Sequence, residues 1–530
     1  MIRHNEDCVH TVSRSDPAFL FHSGEGFERH RLPEGSLVIY GKPPLAQVDD
    51  RVAAINHALD HPEGDEPLDG QLRPGMKVTI AFDDVSLPVP PMRRPDIRQT
   101  VMEIVIDRLD KAGVTDVEII CAICLHRRCT PAELKRFVGP RVFSRFWPDR
   151  LYNHDAEDPE GNVHLGTTAR GEEVELNRRA VESDLLIYVN INLVPMDGGH
   201  KSVPVGLATY KSVRHHHNAE MLLEESSYMD PERSHFHRSC ERMGDIAKKH
   251  VKIFTIETTL NGATFHPLLD FMQKREKDWH IGDKLNYHFS SRALKMLPSA
   301  WRRKAYNALP AMYQLAYVHA GETDAVHAKT LDGVHEQQCV QVPHQCDIML
   351  LGLPALGPYN VNSIQNPLLI NCLGMGYFFN FYRHRPVVKK GGVTILVHPF
   401  KRAFNKIHHP SYIDFYDEVL PQTRDPHEME HKFEKSYAEN ERYIDLYRNS
   451  YAYHGVHPFY MWYWGAHGNA HCSKVIAVNP GEEEVARRLG YEVAKDFDSA
   501  LGMAKDIMGQ NASISYLHTP PILMCDVMQA

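Results

Sequence analysis

From Gly75 onward, short apolar runs alternate with amphipathic stretches. Val78-Thr79-Ile80-Ala81-Phe82 has the length and composition of a strand buried on both faces, and it gives way to polar Asp83-Asp84-Val85-Ser86. From Asp96, the residues Ile97, Val101, Ile104, Val105 and Leu109 recur at helical spacing, and Gly113 closes the pattern. Val117 to Cys121 reads as the next strand. Leu125-His126-Arg127 follows it, and then Thr130-Pro131-Ala132-Glu133, a capping box with proline at the first helical position. A third strand, Leu185 to Ile191, runs towards Asp197-Gly198-Gly199-His200-Lys201. Ligands in open α/β sheets gather beyond the carboxyl ends of the strands, so Asp83 or Asp84, His126 and Lys201 are expected on one rim.

A second series of strands is predicted at 347–352, 393–397 and 474–478. The turn Lys390-Gly391-Gly392 precedes the second of these, and helices are predicted at 482–489 and 497–508. Residues 265–318 break the rhythm. Trp279, Tyr287, Phe289 and Trp301 alternate there with Lys and Arg without a strand pattern, which predicts a helical insertion. Residues 401–455, charged and aromatic, also read as helical. The fold class is α/β: two α/β domains with mostly parallel sheets, a cleft between them, and the helical insertion 265–318. The expected division is an extension 1–74 packed on the first domain, a first domain 75–340, a second domain 341–509, and a segment 510–530 returning to the first domain.

A chain of 530 residues exceeds what one core supports. Its 43% hydrophobic and 24% charged residues are ordinary for a globular protein. A net charge of -9 without a basic stripe argues against nucleic acid as a partner. No run of 18 apolar residues occurs, so neither a membrane span nor a membrane partner is expected. The N-terminus lacks an apolar signal core, and a cytoplasmic location is the expectation. Ten cysteines in this length do not make a disulfide framework. Cys121-Ala122-Ile123-Cys124 has no second CxxC to complete a zinc site, so buried free thiols are expected. The 34 histidines raise the chance of a metal site.

The candidate chemistry sits around Lys201. A lysine directly after Gly198-Gly199 is held near backbone amides that can bind an anion. Sixteen residues later, His217 ends the run His215-His216-His217. Lysine supplies a nucleophilic amine or a cation, and imidazole a metal-ligand nitrogen. Together they suggest a covalently held, metal-bearing cofactor. A surface lysine or a noncovalent phosphate contact is the alternative for Lys201, a solvated run for His215–His217, a structural histidine for His126, and turn caps for Asp83 and Asp84.

This ordered set resembles the nickel-pincer lactate racemase family. The resemblance extends to Ala320-Gly321-Glu322 with His327, to Asn362-Ser363-Ile364-Gln365, and to the tail from Leu489-Gly490-Tyr491 to Gly509. It implies that Lys201 tethers a nickel-pincer nucleotide (pyridinium-3-thioamide-5-thiocarboxylic acid mononucleotide) and that His217 ligates its Ni. Asp84, Gly198, Gly199 and Gln365 then bind the cofactor, and His126 is a catalytic base. Trp464 or His467 is expected to reach the site from the second domain. The implied activity is that of an isomerase, a racemase or epimerase of a 2-hydroxy acid or related hydroxy compound, working by reversible hydride transfer. Departures fall on the substrate side. Pro195-Met196 stands where the family has Pro-His, Leu87 where it has arginine, Leu368 where it has lysine, and Ile364 where it has tyrosine. His200 is therefore the candidate second catalytic base, Arg93 or Arg94 a candidate carboxylate clamp, and lactate itself is not the expected substrate. The alternatives are a non-catalytic cofactor- or nickel-binding protein and a nucleotide-dependent enzyme without nickel. A small-molecule substrate and cofactor-biosynthesis proteins are the expected partners; the oligomeric state stays open.

Overall fold

The computed structural model describes residues 8–87, 90–223 and 226–528, with the side chains of all but residues 306 and 307. The first sheet has the spatial order Leu315–Gly321, Ile253–Leu260, Leu185–Asn192, Lys77–Asp83, Asp116–Ala122, Leu151–Asn153. All of its pairings are parallel except that of the edge strand Leu315–Gly321. The three strands read from apolar runs lie side by side. Helix Ile97–Lys111 is capped by Asp96, and helix Pro131–Phe146 carries the Thr130/Glu133 capping box. Three strands of this sheet lie outside the expected set, short Leu151–Asn153 among them. Ile253–Leu260 mixes threonines and a glutamate into its apolar run, and Leu315–Gly321 occupies the place where the insertion was expected to continue to 318. The insertion is helical only as far as Ala308.

The second sheet runs Val9–Thr11, Leu37–Tyr40, Ile514–His518, Cys346–Pro354, Val388–Val397, Lys474–Val478, Glu492–Ala494, with the hairpin Phe19–Gly24/Gly26–His30 added against Cys346–Pro354. Both ends of the chain are shared between the two sheets and their surroundings. The N-terminal extension sends its strands into this sheet, while its later part packs on the first: helix Arg51–Asp60 lies beside Leu315–Gly321, and the amides of Val48 and Glu63 donate to the carbonyls of Leu315 and Ala320. The C-terminal segment is divided: Ile514–His518 slots in parallel between Leu37–Tyr40 and Cys346–Pro354 of the second sheet, while Met524–Val527 pairs with Cys339–Val342 at the boundary of the first domain. All five residues of Ile514–His518 are buried, as an inner parallel strand requires, and the sequence carries no signal for which sheet supplies the neighbours. The turn expected at Lys390-Gly391-Gly392 is a bulge inside the long strand Val388–Val397. There the pairing with Cys346–Pro354 slips and Gly391 takes a φ of 78°.

The insertion folds as a 3₁₀ turn, Pro267–Gln273, then helices Ile281–Met296 and Ser299–Ala308. Its root is fixed by one buried carboxylate. Glu276 accepts from Leu20 N–H (2.7 Å) and Tyr40 O–H (2.8 Å) and pairs with His518 Nε2 (3.1 Å). Burial pushes the Glu276 carboxyl up, but His518 and these donors outweigh it and hold it below its usual range. Leu20, Phe27, Phe271, Met272 and Trp279 close a small core over it.

Candidate active site

The ends of strands Lys77–Asp83, Asp116–Ala122 and Leu185–Asn192 open into a cavity of about 220 Å³ between the two sheets. Asp83, Asp84, His126, Lys201 and His217 all line it. Asp83 ends its strand by accepting from Ile191 N–H (2.7 Å). It is buried, and desolvation, with Asp197 adding to it, pushes its carboxyl up to about 7. Asp84 behaves oppositely. Its Oδ1 accepts from the N–H and O–H of Ser86, and its Oδ2 meets His126 Nδ1 at 2.8 Å. Burial raises the Asp84 carboxyl, but His126 and Ser86 overcome it and hold the group below the usual carboxylate range. An ionised carboxylate only accepts, so His126 donates from Nδ1, and in the neutral ring the lone pair falls on Nε2. That nitrogen has no hydrogen-bond partner among the described residues, and the ring is walled by Tyr359 (5.1 Å) and His457 (5.3 Å). The loop behind is fixed by buried Arg98, which grips Asp96 and donates to the carbonyls of Asp83 (2.6 Å) and Asp84 (2.8 Å).

The Gly-Gly turn has a different job from the one its sequence suggests. Gly198 (φ 86°) and Gly199 (φ 58°) both sit where L side chains are strained. A Cβ at Gly198 would lie 2.4 Å from Asn192 Nδ2 and Glu257 Oε1, and one at Gly199 would lie 2.7 Å from the His327 ring. The amide of Gly199 already donates to the buried Glu257 carboxylate (2.6 Å), whose other oxygen pairs with His327 Nδ1 (3.1 Å). Burial works against the His327 imidazolium, but Glu257 more than offsets it and raises the ring above its ordinary value. The turn is thus no anion cradle at Gly199; it aims Lys201. Lys201 Nζ lies 3.7 Å from buried Asp197 Oδ1, while Asp197 Oδ2 accepts from the amides of Leu193 and Val194.

His217 comes from the turn after helix Tyr210–Val213. Its Nδ1 is 2.6 Å from His216 Nδ1, so one proton lies between the rings; donation by His217 leaves its Nε2 lone pair free. Desolvation, together with His216 and Lys201, lowers the His217 ring well below its ordinary value, which keeps it neutral. Trp464 stands edge-on to it at 5.2 Å. Asn190 Nδ2 and Trp464 Nε1, both buried at this cavity, have no hydrogen-bond partner among the described residues.

Several expected site residues lie elsewhere. His200 turns outward, away from the cavity, onto Asp324 (2.8 Å), because the residue before Lys201 in a tight helical turn faces away from it. Gln365 bonds His398 Nε2 (3.1 Å) and lines a separate cavity under helix Ser299–Ala308. Its neighbour Asn362 (φ 56°) is used as a clasp: it donates to Glu133 (2.8 Å), which Arg127 also grips, and Arg127 reaches the Val361 carbonyl across the domains (3.2 Å). Arg93 lines a third cavity, and no arginine lines the central one among the described residues. His467 lies beside Tyr382 and not at the cavity. Leu87 and Met196, two of the departures, do line it, as do Phe265, Leu269, Met272 and Leu309 of the insertion. The ten cysteines are free thiols, and burial pushes Cys124 up to about 12. Glu257 and Asp197 escaped the sequence reading. A lone acid inside the β-branched run Ile253–Leu260 was the available signal for the first.

The fold and cavity define an α/β protein with two large, mostly parallel sheets, whose interdomain site joins a glycine-aimed lysine, a buried neutral imidazole and a carboxylate-held histidine. The chain matches the lactate racemase N-terminal domain over residues 24–230. It is 27% identical over 173 residues to a lactate racemase of Lactiplantibacillus plantarum and 25% identical over 173 residues to that of Thermoanaerobacterium thermosaccharolyticum. Each match covers 32% of this chain and 38% of the relative. In fold it resembles the lactate racemase apoprotein from T. thermosaccharolyticum (TM-score 0.61, 18% identity, 96% of this chain and 100% of that one). It also resembles a protein from Thermotoga maritima (TM-score 0.50, 14% identity, 91% and 100%).

Proposed function

We propose that this protein is a racemase or epimerase of a hydroxy compound, with Lys201 and His217 holding a nickel-pincer nucleotide and His126 moving the hydroxyl proton. One observation carries this reading: the Lys201 amine, the neutral His217 ring and the free Nε2 of His126 line one cavity. The residues suit such a group. Among the described residues no three His, Cys, Asp or Glu side chains form a metal site, so His217 would act as a single protein ligand beside donors of the organic group. The unpartnered donors of Asn190 and Trp464 suit its anionic substituents. When bound, the cofactor supplies a hydride acceptor. His126 takes the hydroxyl proton at Nε2 and returns it, and Asp84 stabilises the imidazolium formed.

The wall favours an apolar substrate over lactate. Leu87 and Met196 replace polar groups of the family, and the cavity offers Lys201 as its one Lys or Arg among the described residues. Production alongside the cofactor-building enzymes, followed by intact mass and nickel analysis, tests the reading. A fixed mass increment lost in Lys201→Ala, with nickel lost in His217→Ala, is the expected result. A chain that gains neither mass nor nickel sinks it. His126→Ala separates an enzyme from a storage or sensing protein: turnover collapses in the first, and loading survives in both.

A further inference from the structure

Of the eleven large apolar side chains exposed among the described residues, seven fall between Leu268 and Trp301. Four belong to helix Ile281–Met296: Ile281 (79% exposed), Leu285 (64%), Phe289 (76%) and Met296 (85%). Their spacing sets them on one side of the helix. The opposite side is the one that packs. Asp283 is buried there, and Tyr287 lies against Phe27 (5.6 Å) and Trp279 (5.4 Å). Leu297 and Trp301 continue the strip into the next helix.

The charge around this strip opposes that of the whole chain. Residues 281–308 hold six Lys and Arg against one Asp, in a protein of net charge -9. That Asp is neutralised by Lys274 (2.9 Å), and Arg302 and Arg303 are engaged by Glu25. Lys284, Arg292, Lys295 and Lys304 are exposed and form no ion pair among the described residues. Glu28, the carboxylate that feels Lys295, spends its own bond on His30 (3.2 Å). Lys304 lies over the Trp301 ring (5.3 Å), so the one exposed tryptophan carries a cation on its face.

We propose that helices Ile281–Met296 and Ser299–Ala308 lie flat on an anionic phospholipid bilayer, with the strip at the acyl boundary and the four cations on headgroup phosphates. A second copy of the chain is the weaker occupant, because a two-fold contact would press this strip and its unpaired cations against themselves. The proposal revises the expectation of no membrane partner. That expectation concerned spanning, and indeed no helix of the described residues is long and apolar enough to cross a membrane; lying on a surface is a different demand.

Cosedimentation of the full chain with vesicles of phosphatidylglycerol and phosphatidylcholine, against vesicles of phosphatidylcholine alone, is the test. Salt-sensitive binding to the anionic vesicles is expected. Each of Lys284→Glu, Arg292→Glu and Lys295→Glu should weaken it about fivefold, and the pair Leu285→Glu with Phe289→Glu at least about tenfold. Because these side chains are exposed, thermal melts of the variants should match the parent. Absence of binding, or equal binding to both vesicles, overturns the proposal. So does a parent oligomer, seen by analytical ultracentrifugation, that the Leu285→Glu/Phe289→Glu variant dissociates.

Discussion

At the scale of single residues, the Asp84–His126 pair decides which nitrogen faces the cavity. Ser86 donates twice to Asp84 Oδ1, so the amide side chain introduced by Asp84→Asn would keep its oxygen there and turn its NH₂ to His126 Nδ1. The imidazole would then hold its proton on Nε2, the wrong form for a base. Asp84→Asn is expected to lower turnover of the cofactor-loaded protein about 10²–10⁴-fold with loading intact, as steady-state rates and nickel content would show. A second buried acid sets a pH dependence of stability. Desolvation pushes Glu434 up to about 8 from 4.5, against the pull of the Tyr463 hydroxyl (3.0 Å). The folded state therefore binds this proton more tightly than the unfolded state. Its contribution is fully present below about 4.5 and is lost as pH rises to about 8. Glu434→Gln should flatten denaturation midpoints across that window and leave the variant more stable than the parent at the alkaline end. Residue types and spacing pointed to Asp84, His126, Lys201 and His217, which line one cavity; His200 and Gln365 do not line it, because adjacency in sequence does not say which way a side chain turns.

At the scale of elements, apolar runs and caps located three strands and two helices of the first domain, the strands within a residue or two, since buried parallel strands leave an uninterrupted signal. Ile253–Leu260 was missed because three threonines and Glu257 dilute that signal, although Glu257 holds the Gly198-Gly199 turn. The Gly198-Gly199 turn shows how little freedom such an element has. Gly199→Ala meets both a left-handed φ and the His327 ring, and should cost about 2–4 kcal/mol, read as a lowered denaturation midpoint. Loss of the Lys201 adduct should accompany it, because the same turn points the amine.

At the scale of the whole molecule, the class of fold was legible and the ownership of strands was not. Ile514–His518 is a buried strand, but its neighbours Leu37–Tyr40 and Cys346–Pro354 lie far off in sequence and nothing local names them. The joint between the domains was hidden for the same reason: Arg127, Glu133 and Asn362 look like surface residues until the two sheets face each other.

Glu276 ties three distant stretches of chain, at Leu20, Tyr40 and His518, to the root of the insertion. Thr519, Pro520 and Ile522, just past that knot, form part of the chamber's rear wall. Trimming the tail back past His518 would therefore do more than shorten a loose end: it would unfasten the roof and breach the compartment from behind in a single cut.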